Sequence, residues 1–83
     1  MTDSVLKPLS NQALNIEIGS LYKHYKGQIY KVLYVARHSE TLDELVIYQA
    51  QYGAFDIWAR PIELFLNSVE VNGITVLRFT KLL

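Results

Sequence analysis

Polar and apolar positions divide the chain into two parts with different rhythms. From Met1 to Ile18 there is no sustained period. Pro8, Ser10, Asn11 and Asn15 read as loop or tail. Ser10 is placed to cap a short helix through Gln12, Ala13 and Leu14, and Ile16 and Ile18 alternate as an early strand would. Gly19 marks a break, and from Ser20 the period is that of β-structure. Leu21 to Lys26 alternates, and Gly27 supplies the flexible backbone of a tight turn. Ile29 to Ser39 is rich in Val, Tyr and Ile and is long enough to need a bulge. Glu40 to Asp43 is turn-like. In Glu44 to Tyr52, Val46, Tyr48, Ala50 and Tyr52 share one face, with Gln49 and Gln51 on the other.

Asp56 to Arg60 reads as a short strand stopped by Pro61, which lacks the ladder N–H and holds Arg60 extended. Proline also suits the first turn of a helix, and Ile62, Leu64, Phe65 and Leu66 fit one helical turn. Ser68 to Val71 resumes β-structure, Asn72-Gly73 is a hairpin signal, and Ile74 to Lys81 is the last strand. So many short strands avoid exposed edges by curling up. The expectation is an all-β fold: a small SH3-like barrel of five to six strands with one short helical turn after Pro61. Residues 1–18 form a tail or extension and residues 19–83 the single domain. An α+β roll using an N-terminal helix is the rival.

Composition narrows this picture. At 83 residues, with 51% apolar and 12% aromatic content, the chain is one folded domain and too short for a two-domain enzyme. A domain of this size buries only about 60% of its unfolded surface, so its core must be dense or shared with a partner. Nine of the ten aromatics fall between Tyr22 and Phe65. Cysteine is absent, which excludes disulfides and thiolate zinc sites. Eight cationic and eight acidic side chains balance, arguing against a broad surface for nucleic acid or anionic lipid. The first ten residues hold no signal-peptide core and no run reaches membrane-spanning length. The expectation is a cytoplasmic protein with no membrane contact.

Three segments carry candidate chemistry, and each has a plain structural alternative. In Tyr22 to Gly27, Tyr22, His24 and Lys26 share one strand face and form a polar-aromatic surface for a ligand. The alternative puts Tyr25 in the core and leaves the others solvated. In Arg37 to Thr41, His38 beside Glu40 forms a proton donor–acceptor pair, or with His24 a two-histidine, one-carboxylate metal set. The alternative is turn chemistry from Ser39 or Thr41, and the spacing matches no zinc signature. Trp58 and Arg60 share a face and are types enriched at binding hot spots. The alternative is a Trp58 core plug, with Arg60 paired to Glu63 or Glu40. No serine sits in an elbow motif, and no glycine loop cradles phosphate.

Taken together, Tyr22, His24-Tyr25-Lys26-Gly27, Tyr30, Ala36 to Thr41, Val46, Tyr48, Tyr52-Gly53, Trp58 and Arg60-Pro61 resemble the family called domain of unknown function 1653. The resemblance spans about Gly19 to Phe79 and implies a small, mostly bacterial, single-domain protein. It brings no activity with it. Its signature positions are polar and aromatic, which core packing alone would not select. They point to a shared ligand-binding site of Tyr22, His24, His38, Glu40, Thr41, Tyr48, Trp58 and Arg60. The expected function is a non-catalytic binding module for a small polar or anionic ligand or a peptide, with no metal and no cofactor. The alternatives are a single-stranded nucleic-acid binder using Lys23, Lys26, Lys31 and Arg37, a His38/Glu40 acid–base enzyme, and a homodimer burying its aromatic surface.

Overall fold

The computed structural model of the chain describes residues 6–83. Helix α1 (Asn11–Leu14) is followed by strands β1 (Leu21–His24), β2 (Ile29–Arg37), β3 (Glu44–Ala50) and β4 (Ile57–Pro61). Helix α2 (Ile62–Phe65) comes next, then β5 (Ser68–Val71), β6 (Ile74–Leu77) and β7 (Phe79–Lys81). The all-β class is as the alternation requires. Five strands form one antiparallel sheet in the order β4-β3-β2-β1-β7, and β5-β6 is a separate hairpin. This differs from the barrel expectation in one respect: the hydrogen-bond ladder does not close. The chain between β4 and β7 is spent on α2 and the hairpin. Their side chains, rather than a continuous ladder, cover the gap.

Alternation explains which residues meet. Val46, Tyr48 and Ala50 of β3 are buried, with Tyr22 of β1 and Val32 of β2. The long second strand is bulged, as its length demands. Val32 pairs with Tyr48 but Tyr34 with Ile47, so Leu33 is the extra residue. The insertion resets the inward phase: Val32 before the bulge and Val35 after it contribute to the core, while Tyr34 is left largely exposed. Pro61 ends β4 and leads into α2, which drives Ile62 and Phe65 into the centre. Phe65 is fully buried. It stacks on Phe79 at 4.3 Å and meets Tyr22 and Tyr48 edge-on at 5.1 and 5.3 Å.

Three expectations need correction. The last β run is two strands, because the chain pivots at Arg78. Its N–H donates to the Asn67 carbonyl, its carbonyl accepts from Tyr25, and its Nε donates to Asn67 Oδ1 at 2.8 Å. Upstream of the pivot β6 pairs with β5; downstream, β7 pairs with β1. Tyr25 is not core: alternation along β1 puts it on the face opposite Tyr22, and it is Tyr22 that is buried. Ile16 and Ile18 form no strand. Ser10 does cap α1, its hydroxyl accepting from the Ala13 N–H at 3.1 Å, and Ala13 and Ile16 are buried in the domain core. That part of the N-terminal segment therefore packs as domain rather than trailing as tail. The first five residues of the tail lie outside the described residues. No helix among the described residues is long and apolar enough to cross a membrane.

The hairpin turn follows its sequence signal. Asn72 and Gly73 both have positive φ, 52° and 78°, as a type I′ turn requires.

The N-terminal segment is held by Glu44, whose carboxylate accepts from the Ser10 N–H and Oγ at 2.6 Å each. These bonds, side chain first, hold the Glu44 carboxyl below its ordinary value of 4.5. A depressed carboxylate stabilises the fold above its unfolded pKa, and this is lost as pH falls through the folded value. Exchange at the Ala13 and Leu14 amides, taken relative to the intrinsic rate, is therefore expected to accelerate as pH falls through the depressed Glu44 value. Glu44→Gln should accelerate it at neutral pH. In the core, Phe65→Ala is expected to cost about 3–5 kcal/mol by urea denaturation, enough to unfold much of so small a domain.

Candidate functional site

The core face of the five-stranded sheet is not wholly covered. At the uncovered end, Tyr30, Tyr48, Trp58 and Arg60 line a cleft of about 220 Å³. Strand register puts them there. Tyr48 pairs with Trp58 and Val46 with Arg60, so all four ring or guanidinium groups project from the same side of β2, β3 and β4. Trp58 is 52% exposed and forms an outer wall; it is no core plug.

The polar groups of this cleft are already ordered by one another. Arg60 Nε donates to the Tyr48 hydroxyl at 3.1 Å, and the guanidinium carbon lies 5.9 Å from the Phe79 ring centre. Neither Glu63 nor Glu40 pairs with it; among the described residues the one ion pair is Lys81–Glu17 at 3.1 Å. The Tyr30 and Tyr52 hydroxyls are 2.7 Å apart and share a hydrogen bond. Burial, then the bond to Tyr52, push the Tyr30 phenol up to about 12, so it stays protonated across the physiological range.

His24 stands behind Tyr30. Its ring is 6.3 Å from Tyr30 and 4.9 Å from Phe79, edge-on to both. Its Nδ1 accepts from the Lys26 N–H at 3.2 Å, which fixes the neutral tautomer with its proton on Nε2. Burial lowers the His24 pKa below 6.5, and the positive charges of Lys26, Arg60 and Arg78 lower it further.

The eight residues expected to share a site divide into three groups. His24, Tyr48, Trp58 and Arg60 gather around Tyr30. Tyr22 is a core residue against Phe65. His38, Glu40 and Thr41 lie at the opposite end of the β2–β3 ribbon. The seven-residue span from Tyr30 to Arg37 separates them from the cleft by about 20 Å. There the local turn absorbs them. His38 Nδ1 accepts from the Glu40 and Thr41 N–H groups at 3.1 and 3.2 Å, and Thr41 Oγ1 accepts from Asp43. His38 and Glu40 are exposed, so they lack the enclosed setting an acid–base pair requires. The two histidines are too far apart to share a metal ion, and among the described residues no three His, Asp or Glu side chains cluster for one. A separate hollow of about 330 Å³ at this end is lined by Lys7, Arg37, Thr41 and Leu42.

The cations proposed for nucleic acid are also dispersed. Lys23 and Lys31 project from the outer face of the sheet, Lys26 lies over Tyr25, and Arg37 donates to the Lys7 carbonyl at 2.7 Å. Sequence reasoning omitted Tyr30, Tyr52 and Phe79 from the site. The inward alternation of β2 pointed to Tyr30; nothing local marked Phe79.

Fold and cleft define a small all-β module with an aromatic-walled recess around an arginine that no acidic side chain among the described residues pairs with. The chain belongs to the family described as protein of unknown function (DUF1653), whose profile matches residues 20–81. A crystal structure of a family member from Bordetella bronchiseptica is similar to it, with 27% identity and a TM-score of 0.72 over 82% of this chain and 88% of that one. Comparison with curated proteins gives no match. The segment before Ser20, including α1, lies outside the family match.

The tyrosine pair gives a direct test of the geometry. Tyr52→Phe removes the shared hydrogen bond but not the burial. The Tyr30 pKa is then expected to fall from about 12 while staying above the ordinary tyrosine value of 10.0, read by ultraviolet titration of tyrosinate.

Proposed function

We propose that the protein is a non-catalytic binding module and that the cleft at Arg60 holds the anionic group of a small ligand. The observation that carries this reading is the inventory of free hydrogen-bonding groups. Arg60 uses Nε on Tyr48 and keeps its terminal N–H groups. The Tyr48 hydroxyl accepts that bond, so its own O–H is free to donate. Tyr30 and Tyr52 consume one proton in their shared bond and keep the other. Among the described residues no acidic side chain lines the cleft. A recess rich in donors and without a carboxylate suits an oxyanion, and a guanidinium grips one with two parallel bonds.

Trp58, half-exposed at the wall, offers a flat apolar surface for the rest of the ligand. The ligand is accordingly a carboxylate, phosphate or sulfonate joined to an apolar or planar body, a peptide terminus included. The dispersal of Lys23, Lys26, Lys31 and Arg37 gives the nucleic-acid alternative no single face to work with.

Titration with carboxylate, phosphate and sulfonate ligands, followed by Trp58 fluorescence, tests the reading. Arg60→Ala is expected to weaken binding about ten- to a hundredfold, the loss of a charged hydrogen-bond partner. His38→Ala, at the far end of the ribbon, should leave it unchanged. Equal binding by the native protein and Arg60→Ala overturns the site.

A further inference from the structure

Net charge is zero, yet charge is not evenly spread. The groups that face His24 are Lys26 from the β1–β2 turn, Arg60 from β4 and Arg78 from the β6–β7 pivot, together with the neutral rings of Tyr25, Tyr30 and Phe79. No carboxylate of the described residues is among them. Three of the acidic side chains lie elsewhere: Glu17 pairs with Lys81, Glu44 holds Ser10, and Glu40 lies in the far turn. Phe79 has the His24 ring against it and the Arg60 guanidinium over it, so the two groups share one aromatic support.

We infer that His24 is the proton-linked partner of the cleft: an oxyanion bound at Arg60 draws a proton onto His24, and binding tightens as the solution is acidified. The inference rests on the anion reading of the Arg60 cleft and adds its regulation. His24 acts through the field across the Tyr30 and Phe79 rings, not as a direct ligand. In the empty protein two conditions keep its ring neutral. Three cations surround it, and its Nδ1 is engaged as the acceptor of the Lys26 N–H, a bond that an imidazolium cannot make. An anion at Arg60 cancels part of the unfavourable field. Protonation then becomes favourable, at the expense of the Lys26 bond in the β1–β2 turn. Linkage makes the effect reciprocal: the protonated ring favours the anion to the same degree that the anion favours protonation.

The sign follows directly. His24 titrates below 6.5 in the free protein. Affinity is therefore highest below that free value and falls as pH rises through the higher, ligand-bound value. Partial cancellation of that field near the surface predicts a rise in the His24 pKa of about half to one unit, a roughly three- to tenfold tightening from neutral to acid pH. Added salt should diminish both.

The test is a nuclear magnetic resonance titration of the imidazole signals of the full chain, with and without benzenesulfonate. This probe keeps its charge throughout the range and carries a flat ring for Trp58. The chain has two histidines, so His38 is an internal reference about 20 Å away. The expected result is an upward displacement of the His24 midpoint on saturation and an affinity that rises on acidification, with the pH dependence abolished in His24→Gln. Binding of benzenesulfonate that Arg60→Ala removes, but that leaves the His24 midpoint unmoved, overturns the proton linkage and leaves the anion site standing. Failure of benzenesulfonate, phosphate and carboxylate alike to bind overturns both.

Discussion

The stack of Phe65 on Phe79 is the contact on which the rest of the molecule depends. The two residues come from different parts of the fold, the helical turn behind Pro61 and the final strand of the large sheet. Because the ladder does not close, this contact takes over much of what strand pairing does in a barrel. It draws α2 and β7 together over Tyr22 and Tyr48 and gives a small chain an aromatic interior. Each such aromatic pair adds about 0.5–1.5 kcal/mol beyond the area it buries. The same Phe79 ring continues into the cleft, where His24, Tyr30, Tyr48 and Arg60 rest against it. Core and site are therefore not separate regions. The site is the end of the core that no element covers.

What could be read from the amino-acid order was what is local. Alternation in β3, the bulge required by the length of β2, the proline that turns β4 into α2 and the Asn72-Gly73 turn all rest on a few neighbouring residues. The misjudged features are non-local. Tyr22 rather than Tyr25 faces inward because Phe65, far along the chain, packs on the Tyr22 side of β1. The division of the last run between two sheets hangs on Asn67 meeting Arg78. Ala13 and Ile16 enter the core without a sustained apolar period to announce them, because Ser10 is fixed by Glu44 across the structure.

The site followed the same division. Trp58 and Arg60 lie two residues apart on a strand, so their common face was legible, and Tyr48 followed from the alternation of β3. His38, Glu40 and Thr41 had suggestive chemistry, but their short spacing belongs to a turn, where side chains serve neighbouring amides. Distance along the ribbon then keeps them from the cleft. Phe79 was invisible as a site residue because its role depends on which strand lies beside β1. The zero net charge was uninformative for a related reason: a sum over the chain hides a recess lined by an arginine and, among the described residues, by no carboxylate.

The pairing of β1 with β7 sets Tyr22 beside Lys81, nearly the full length of the domain apart in the chain. Contacts so distant close large loops and form late. During synthesis the ribosome must release the polypeptide through Phe79 before the stack can form at all. Until then the nascent chain carries β2, β3 and β4 with their apolar face uncovered. A chain truncated before Phe79 would leave that apolar face open to chaperones and proteases.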